Sequence, residues 1–565
     1  MISFILHTHL PNVLHHGAWP HGSDWVSEAV AECYLPLLRM CDRLLKEGIR
    51  PAITFDISPV LCEQLAHPDF IDVFESYCKE HVELAELDQK HFLAEGNKEF
   101  AKLAGVWAEW YEERWLEFDE VYDRDIVGAL RTLQDKGAIE VMTCGLTHGY
   151  LPLFAEDSSI ERQIGLAKVS YEKHFGKAPR GIWLPECAYR PAYPWQSYLL
   201  VEPYTTARYR EGIEQFLHRY DLEYFVTDQP HIERSIPLGV VGPTGIRTPF
   251  HETYGDARRQ LQERSVFDLF RVSGENHYES AIAFTRHRDI CMQVWSGDTG
   301  YPGDADYMDF HKKYFRSSLR YWRVTDNKAD MQYKQAYVPE WAENRAKEHA
   351  QHFVRILEGA TQHRQTESGR PLTACLPFDT ELFGHWWFEG PLFLEHVLRG
   401  IHASPVIHAS TAGEQVDLVD PVCVVALPES SWGKNGNHDV WMNQEVQWTW
   451  EREYRLEYRF KKFLETQKPS TWDKTLNRIM LNAMRQFLIA QASDWQFLIS
   501  TWSSGEYAEM RFNNHLSDAS RLMDVAEHYL RSGEVSKEEN NFLVECEDRD
   551  GLFTSELEYY FTSLG

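Results

Sequence analysis

The chain has 565 residues, 43% of them hydrophobic, which is too long for one small domain and ample for a large core. Lysine plus arginine minus aspartate plus glutamate is 57 − 86 = −29, an acidity that repels phosphate backbones and anionic headgroups; it argues against nucleic acid and membrane surfaces as partners and is compatible with a neutral substrate. The ten cysteines have no CxxC spacing, so they read as buried free thiols rather than a zinc cluster or disulfide framework; with no signal-peptide pattern and no apolar run near the roughly 20 residues of a membrane span, a cytoplasmic protein is expected.

In chain order, the first short apolar run is ISFIL (2–6), followed by His7-Thr8-His9, and the second is PAITF (51–55), followed by Asp56-Ile57-Ser58. Residues 66–124 then have helical spacing over a length no simple loop reaches, which predicts an inserted helical subdomain. The helical stretch DIVGALRTLQDKG (125–137) leads into AIEVMT (138–143), which ends at Cys144 and His148. Next come GIWL (181–184) before Pro185-Glu186, EYFVT (223–227) before Asp228-Gln229, ICMQVW (290–295) before Ser296-Gly297-Asp298, and TACL (373–376) before Pro377-Phe378-Asp379. From about 450 the chain reads as successive amphipathic helices: EYRLEYRFKKFLETQ, a second after Asp473, a third ending near Gly533, and a last one opening with the capping box Ser536 to Glu539.

Most of the seven runs lack period-2 alternation, as strands buried on both faces do, and helical stretches separate them. That predicts an α/β fold with a parallel barrel. The expected organisation is a catalytic barrel over 1–400, the insertion at 66–124, and a mainly helical C-terminal domain over 401–565 that contributes to the substrate cleft. In a parallel barrel the C-terminal strand ends converge on one face, where catalytic groups collect.

Two carboxylates on different strand ends suit glycoside chemistry, in which a nucleophile or base and a general acid flank one bond; Glu186, Asp379, Asp298, Asp228 and Asp56 are the candidates, and spacing alone does not choose among them. The chain also carries 19 Trp and 27 Tyr, whose ring faces accept sugar C–H surfaces. Trp19, Trp25, Trp183, Trp295, Trp386, Trp387, Trp432 and Trp441 fall near the presumed mouth, and the last two lie in a Gly/Asn/Ser-rich loop poorly placed for a core. His7, His9 and His148 with Asp56 also suit a metal site, as in a barrel-type polysaccharide deacetylase or metal-dependent hydrolase. Histidines that hydrogen-bond sugar hydroxyls need neither metal nor cofactor, and that reading is preferred.

The segments HTHLPNVLHHGAWPHG, EVMTCGLTHGY, WLPECAYRP, QVWSGDTGYPGDADYMDFHKK, LPFDTELFGHWWFEGP and PESSWGKNGNHDVW resemble the ordered motifs of glycoside hydrolase family 57, most closely its 1,4-α-glucan branching enzymes, from Met1 to about Tyr507. The resemblance implies a seven-stranded (β/α) barrel, incomplete relative to a TIM barrel, and a retaining mechanism on α-glucans such as amylose, amylopectin or glycogen. It implies Glu186 as nucleophile and Asp379 as general acid/base. It further implies that His7, His9 and His148 line the donor-sugar site, that Arg286, Gly303, Asp494 and Trp295 contact substrate, and that Trp432 and Trp441 shape the acceptor path. Two departures stand out. Gln229 to Pro249 contains no aromatic residue where branching members carry a tyrosine, Tyr254 being the nearest, and Trp502-Ser503 replace a Gly-Gln pair, which puts Ser503 at that contact. A 4-α-glucanotransferase or α-amylase of the same family is the alternative activity.

Overall fold

The computed structural model describes residues 1–18, 21–241, 247–249, 264–274, 279–368 and 371–564. Trp19 and Tyr254, both singled out in the sequence, lie outside those residues. The fold is mixed α/β around a mostly parallel sheet of eleven strands. Its parallel part comprises β1 (Ile2–Thr8), β2 (Thr54–Ile57), β3 (Glu140–Cys144), β4 (Gly181–Trp183), β5 (Tyr224–Thr227), β6 (Ser280–Thr285) and β7 (Ala374–Asp379). They pair in the order β7-β1-β2-β3-β4-β5-β6, and an isolated parallel bridge from Arg286, one residue past β6, to Cys375 in β7 joins the two ends. All seven residues of β1 are buried, which explains its unalternating sequence. Beyond β6 the sheet continues through Phe270–Ser273, Cys423–Ala426, Ile236–Val241 and Arg247–Pro249.

Six of the seven apolar runs coincide with these strands, and one does not. ICMQVW lies in a helix, Arg288–Trp295, that buries Ile290, Cys291 and Val294 at helical spacing. A six-residue apolar run fits either a buried strand or one face of a short helix, so periodicity cannot separate them. The strand in this region is β6, SAIAFT, whose two alanines dilute its hydropathy although all of it but Ser280 is buried.

The insertion consists of helices α1 (Pro68–Ala94) and α2 (Lys98–Leu116). Asn97 caps α2 by accepting the Phe100 N–H at 3.2 Å. Their buried faces carry Phe70, Phe74, Tyr77, Trp107 and Tyr111. The expected boundary at 400 passes through the helix Gly390–Ala403, and Cys423–Ala426 belongs to the sheet, so the continuous helical region opens only at α3 (Gln447–Thr466). It continues as α4 (Lys474–Ala490), α5 (Asp494–Ser500), α6 (Gly505–Ser532) and α7 (Lys537–Arg549), with a final helix at Thr554–Ser563. Gly533 ends α6 in the left-handed conformation, φ 75°, and the Ser536/Glu539 capping box opens α7. All ten cysteines are free and buried. Among the described residues no helix is long and apolar enough to cross a membrane.

Candidate active site

β4 ends at Trp183, and Pro185 opens a short 3-10 turn in which Glu186 (φ 62°) and Cys187 (φ 47°) both adopt the left-handed backbone region. Neither is glycine, so each stores on the order of 1–2 kcal/mol of strain. Hydrogen bonds hold the turn: the Cys187 N–H donates to the Leu184 carbonyl at 2.8 Å, and the Trp432 N–H donates to the Glu186 carbonyl at 3.0 Å. Trp432 also donates its indole Nε1–H to Glu186 Oε2 at 2.9 Å. Ser493 Oγ donates to Oε1 at 3.1 Å. The carboxylate is thus fixed by a loop tryptophan and by a serine 307 residues away in sequence.

Behind Ser493 runs a buried chain of side chains. Ser493 Oγ lies 2.9 Å from His148 Nδ1, His148 Nε2 lies 3.1 Å from His7 Nε2, and His7 Nδ1 meets Asp56. Beside it, His9 Nδ1 pairs with Ser58 Oγ at 2.8 Å and His9 Nε2 with Asp494 at 3.0 Å. The His9 and His148 rings stack with centroids 3.8 Å apart, and His7 stacks on Trp183 at 4.7 Å. Burial pushes the His7 and His148 imidazoles well below the ordinary histidine range, so both are neutral. His148 itself is left-handed, φ 60°, and its carbonyl accepts the Ser493 N–H at 2.9 Å, docking the helical region onto the loop after β3.

Asp379 ends β7 opposite His7 in the strand register. Burial holds its carboxyl well above the ordinary aspartate range; the charges of Glu381 and Glu186 add to the effect and Arg286 opposes it. The Glu186 carboxyl is raised to about 7: burial is the main cause and the Asp494 charge adds to it, against the opposing pull of the Trp432 and Ser493 donors. Because the Glu186 charge adds to the rise at Asp379, ionising Glu186 favours the protonated form of Asp379, so one holds a proton while the other carries charge. Glu186, with two donors, is the better placed to carry the charge.

Both carboxyls line one cavity of about 1260 Å³, together with His7, His9, His148, Arg286, Trp295, Trp432, Trp441, Asp494 and Ser503. Gly303 does not reach it; a Cβ there would strike the Gly297 carbonyl oxygen, so this glycine permits close backbone packing. The other candidate carboxylates have different surroundings. Asp228 is locked to Arg286 by two bonds of 2.8 Å, Asp56 is sealed behind His7, and Asp298 sits on an exposed loop outside the cavity. Trp25 and Trp386 line the cavity, whereas Trp183 and Trp387 are core residues. Trp441 departs from expectation: its loop composition suggests exposure, yet it is 1% exposed and stacks on Tyr150 at 4.5 Å. Ser493 and Glu381 were not singled out in the sequence, although Ser493 adjoins Asp494 and Glu381 lies within LPFDTELFGHWWFEGP.

The family model described as glycosyl hydrolase family 57 matches residues 3–428. The chain belongs to this family. A further model, 1,4-alpha-glucan branching enzyme, C-terminal, matches residues 454–561. A 1,4-alpha-glucan branching enzyme of Thermococcus kodakarensis is 36% identical over 552 residues, covering 98% of this chain and 77% of that one. The GH57-type branching enzyme of Pyrococcus horikoshii superposes with a TM-score of 0.87 at 34% identity, over 98% of this chain and 96% of that one. The alpha-amylase AmyC of Thermotoga maritima gives 0.78 at 27% identity, over 98% and 97%. Family 57 membership displaces the deacetylase reading of the histidine cluster. Every ring nitrogen of His7, His9 and His148 already has a protein partner, so these residues hold Ser493 and Asp494 in place as well as lining the cavity.

Proposed function

We propose that this family 57 member is a 1,4-α-glucan branching enzyme acting by retaining double displacement on amylose, amylopectin or glycogen. The observation that carries the reading is the pairing of Glu186 and Asp379 in one cavity with opposed settings, a donor-stabilised carboxylate and a proton-holding acid. Asp379 donates its proton to the glycosidic oxygen as Glu186 Oε attacks the anomeric carbon, breaking the α-1,4 bond and forming a glucosyl ester. Asp379, now ionised, takes the proton from the 6-hydroxyl of another glucose unit, whose oxygen displaces Glu186 and leaves an α-1,6 branch. Water in place of that hydroxyl gives hydrolysis, so the outcome turns on orienting the acceptor and excluding water.

The parallel strands are read here as a seven-stranded (β/α) barrel closed at the Arg286–Cys375 bridge, with the 66–124 insertion at its mouth and the helices from Gln447 as a second domain. Free, buried cysteines support a cytoplasmic location, and a role in glycogen synthesis would follow from the proposed branching activity. The likeness to AmyC keeps hydrolysis as a second reading. Amylose incubated with the protein is expected to gain isoamylase-sensitive linkages and lose iodine absorbance with few new reducing ends. New reducing ends without new α-1,6 bonds would assign it to the amylase side of the family, and redistributed chain lengths with neither new reducing ends nor α-1,6 bonds to the glucanotransferase side.

A further inference from the structure

Asp56 has no part in the mechanism above, yet it stands in the middle of the sheet. In the register of β2 it lies between His7 of β1 and Met142 of β3, and it is fully buried. Among the described residues its only ion-pair partner is His7, and its Oδ1 has no hydrogen-bond partner. A buried carboxylate without a fixed cation or a full set of donors is costly, whereas a buried carboxylic acid needs only one acceptor. Burial accordingly holds the Asp56 carboxyl well above the ordinary aspartate range, and His7 Nδ1 is in place as the acceptor.

The hydrogens along the buried chain lead to the same state from its other end. Ser493 has one hydroxyl hydrogen and gives it to Glu186 Oε1, so its oxygen accepts from His148 Nδ1 at 2.9 Å. His148 is neutral and uses its one N–H there, so its Nε2 accepts from His7 Nε2 across 3.1 Å. His7 is neutral too, so its Nδ1 accepts, and Asp56 is the group that donates to it. With Glu186 ionised, every hydrogen in the chain points from Asp56 towards Glu186, and each bond polarises the next.

The His7–His148 contact has room for one hydrogen. A proton on Glu186 Oε1 would turn the Ser493 and His148 hydrogens back and set two N–H groups against each other there, while Oε2 already faces the Trp432 donor. Both oxygens of Glu186 are therefore held as acceptors for as long as Asp56 donates at the far end. The remaining titratable groups act elsewhere. The thiols of Cys62 and Cys144 lie near Asp56, and burial raises both, so neither carries charge at neutral pH. His9, His148, Asp494 and Asp379 face Glu186, and Arg286 lies over the Trp432 ring.

We propose that Asp56 keeps its hydrogen and acts, through His7, His148 and Ser493, as a positioning residue that holds Glu186 ionised for attack. The proposal rests on the reading of Glu186 as nucleophile. The infrared difference between the intact wild-type protein and the nearly isosteric Asp56→Asn, at about pH 7, is expected to show the loss of one protonated-carboxyl band; loss of an ionised-carboxylate band would overturn the proposal. In turnover, Asp56→Leu fills the space without a donor and frees His7 to turn its hydrogen away. It should move the acid limb of kcat/KM for α-1,4 cleavage up by about half a unit, a loss of about threefold near pH 6, and Asp56→Asn, which keeps an N–H for His7, should recover most of that loss. In a Ser493→Ala background the chain is already cut, so Asp56→Leu should move the limb no further. Equal shifts with and without Ser493, or a fall in kcat with the limb unmoved, would reduce Asp56 to a packing residue and overturn the proposal. Wild-type turnover in Glu186→Gln would instead strike at the nucleophile reading, on which the infrared result does not depend.

Discussion

The strand ends and the helical segment around Ser493 meet at one carboxylate and supply different things. From β4 and β7 come Glu186 and Asp379, two acids whose burial makes each reluctant to ionise. From residues 493–494 come a hydroxyl that donates to Glu186 and a carboxylate whose charge raises it. In the proposed mechanism the strands provide the reacting groups, and the helices trim their charge. On this division, changes at the strand ends should abolish turnover, whereas changes in the helical segment should shift its pH dependence.

The largest effect tests the first half. Glu186→Gln is expected to lower kcat for α-1,4 bond cleavage by more than about 10³-fold, and Asp379→Asn by about 10²–10⁴-fold, with the latter partly relieved on an aryl glucoside whose leaving group needs no proton. Comparable losses in Ser493→Ala would break the comparison. The pH profile follows from the two settings. Glu186 works ionised, so kcat/KM should fall as pH drops through about 7. Asp379 works protonated, so activity should fall again as pH rises through its elevated value.

A middle-sized effect belongs to Trp432, where Trp432→Phe keeps an aromatic ring, smaller than the indole, but loses the Nε1 donor. The Glu186 pKa should rise, moving the acid limb up by about one unit and cutting kcat/KM near pH 6 about tenfold while the plateau changes less. The smallest effects sharpen the contrast by having opposite signs. Ser493→Ala removes a donor and should raise the acid limb by about half a unit, whereas Asp494→Asn removes a negative charge and should lower it by a similar amount. Shifts in the same direction would show that the helical segment acts through packing and not through charge.

Much of this was legible in the sequence where local pattern and position agree. Glu186 and Asp379 stand at the ends of apolar runs that do form parallel strands of one sheet, so placing them at one mouth required only the parallel rule. The family motif then chose them from five candidates. Reading failed where contact is long-range or composition misleads. ICMQVW is as apolar as a strand, but its buried residues follow helical spacing, while the alanines of SAIAFT hide a strand buried between neighbours. Trp441 sits in a run of glycine and asparagine, yet Tyr150, far away in the chain, covers it. No local signal gives Ser493 its partners, because His148 and Glu186 reach it only after the helices dock.

The bond from the Ser493 amide to the His148 carbonyl bears on modularity. A strand-and-helix body ending ahead of Gln447 would keep both reacting acids, but Glu186, His148 and His9 would each lose a partner that the later helices provide. On the proposed mechanism the smallest active unit is expected to extend past Asp494, so a protein truncated ahead of Gln447 should lose activity even though it keeps both carboxylates.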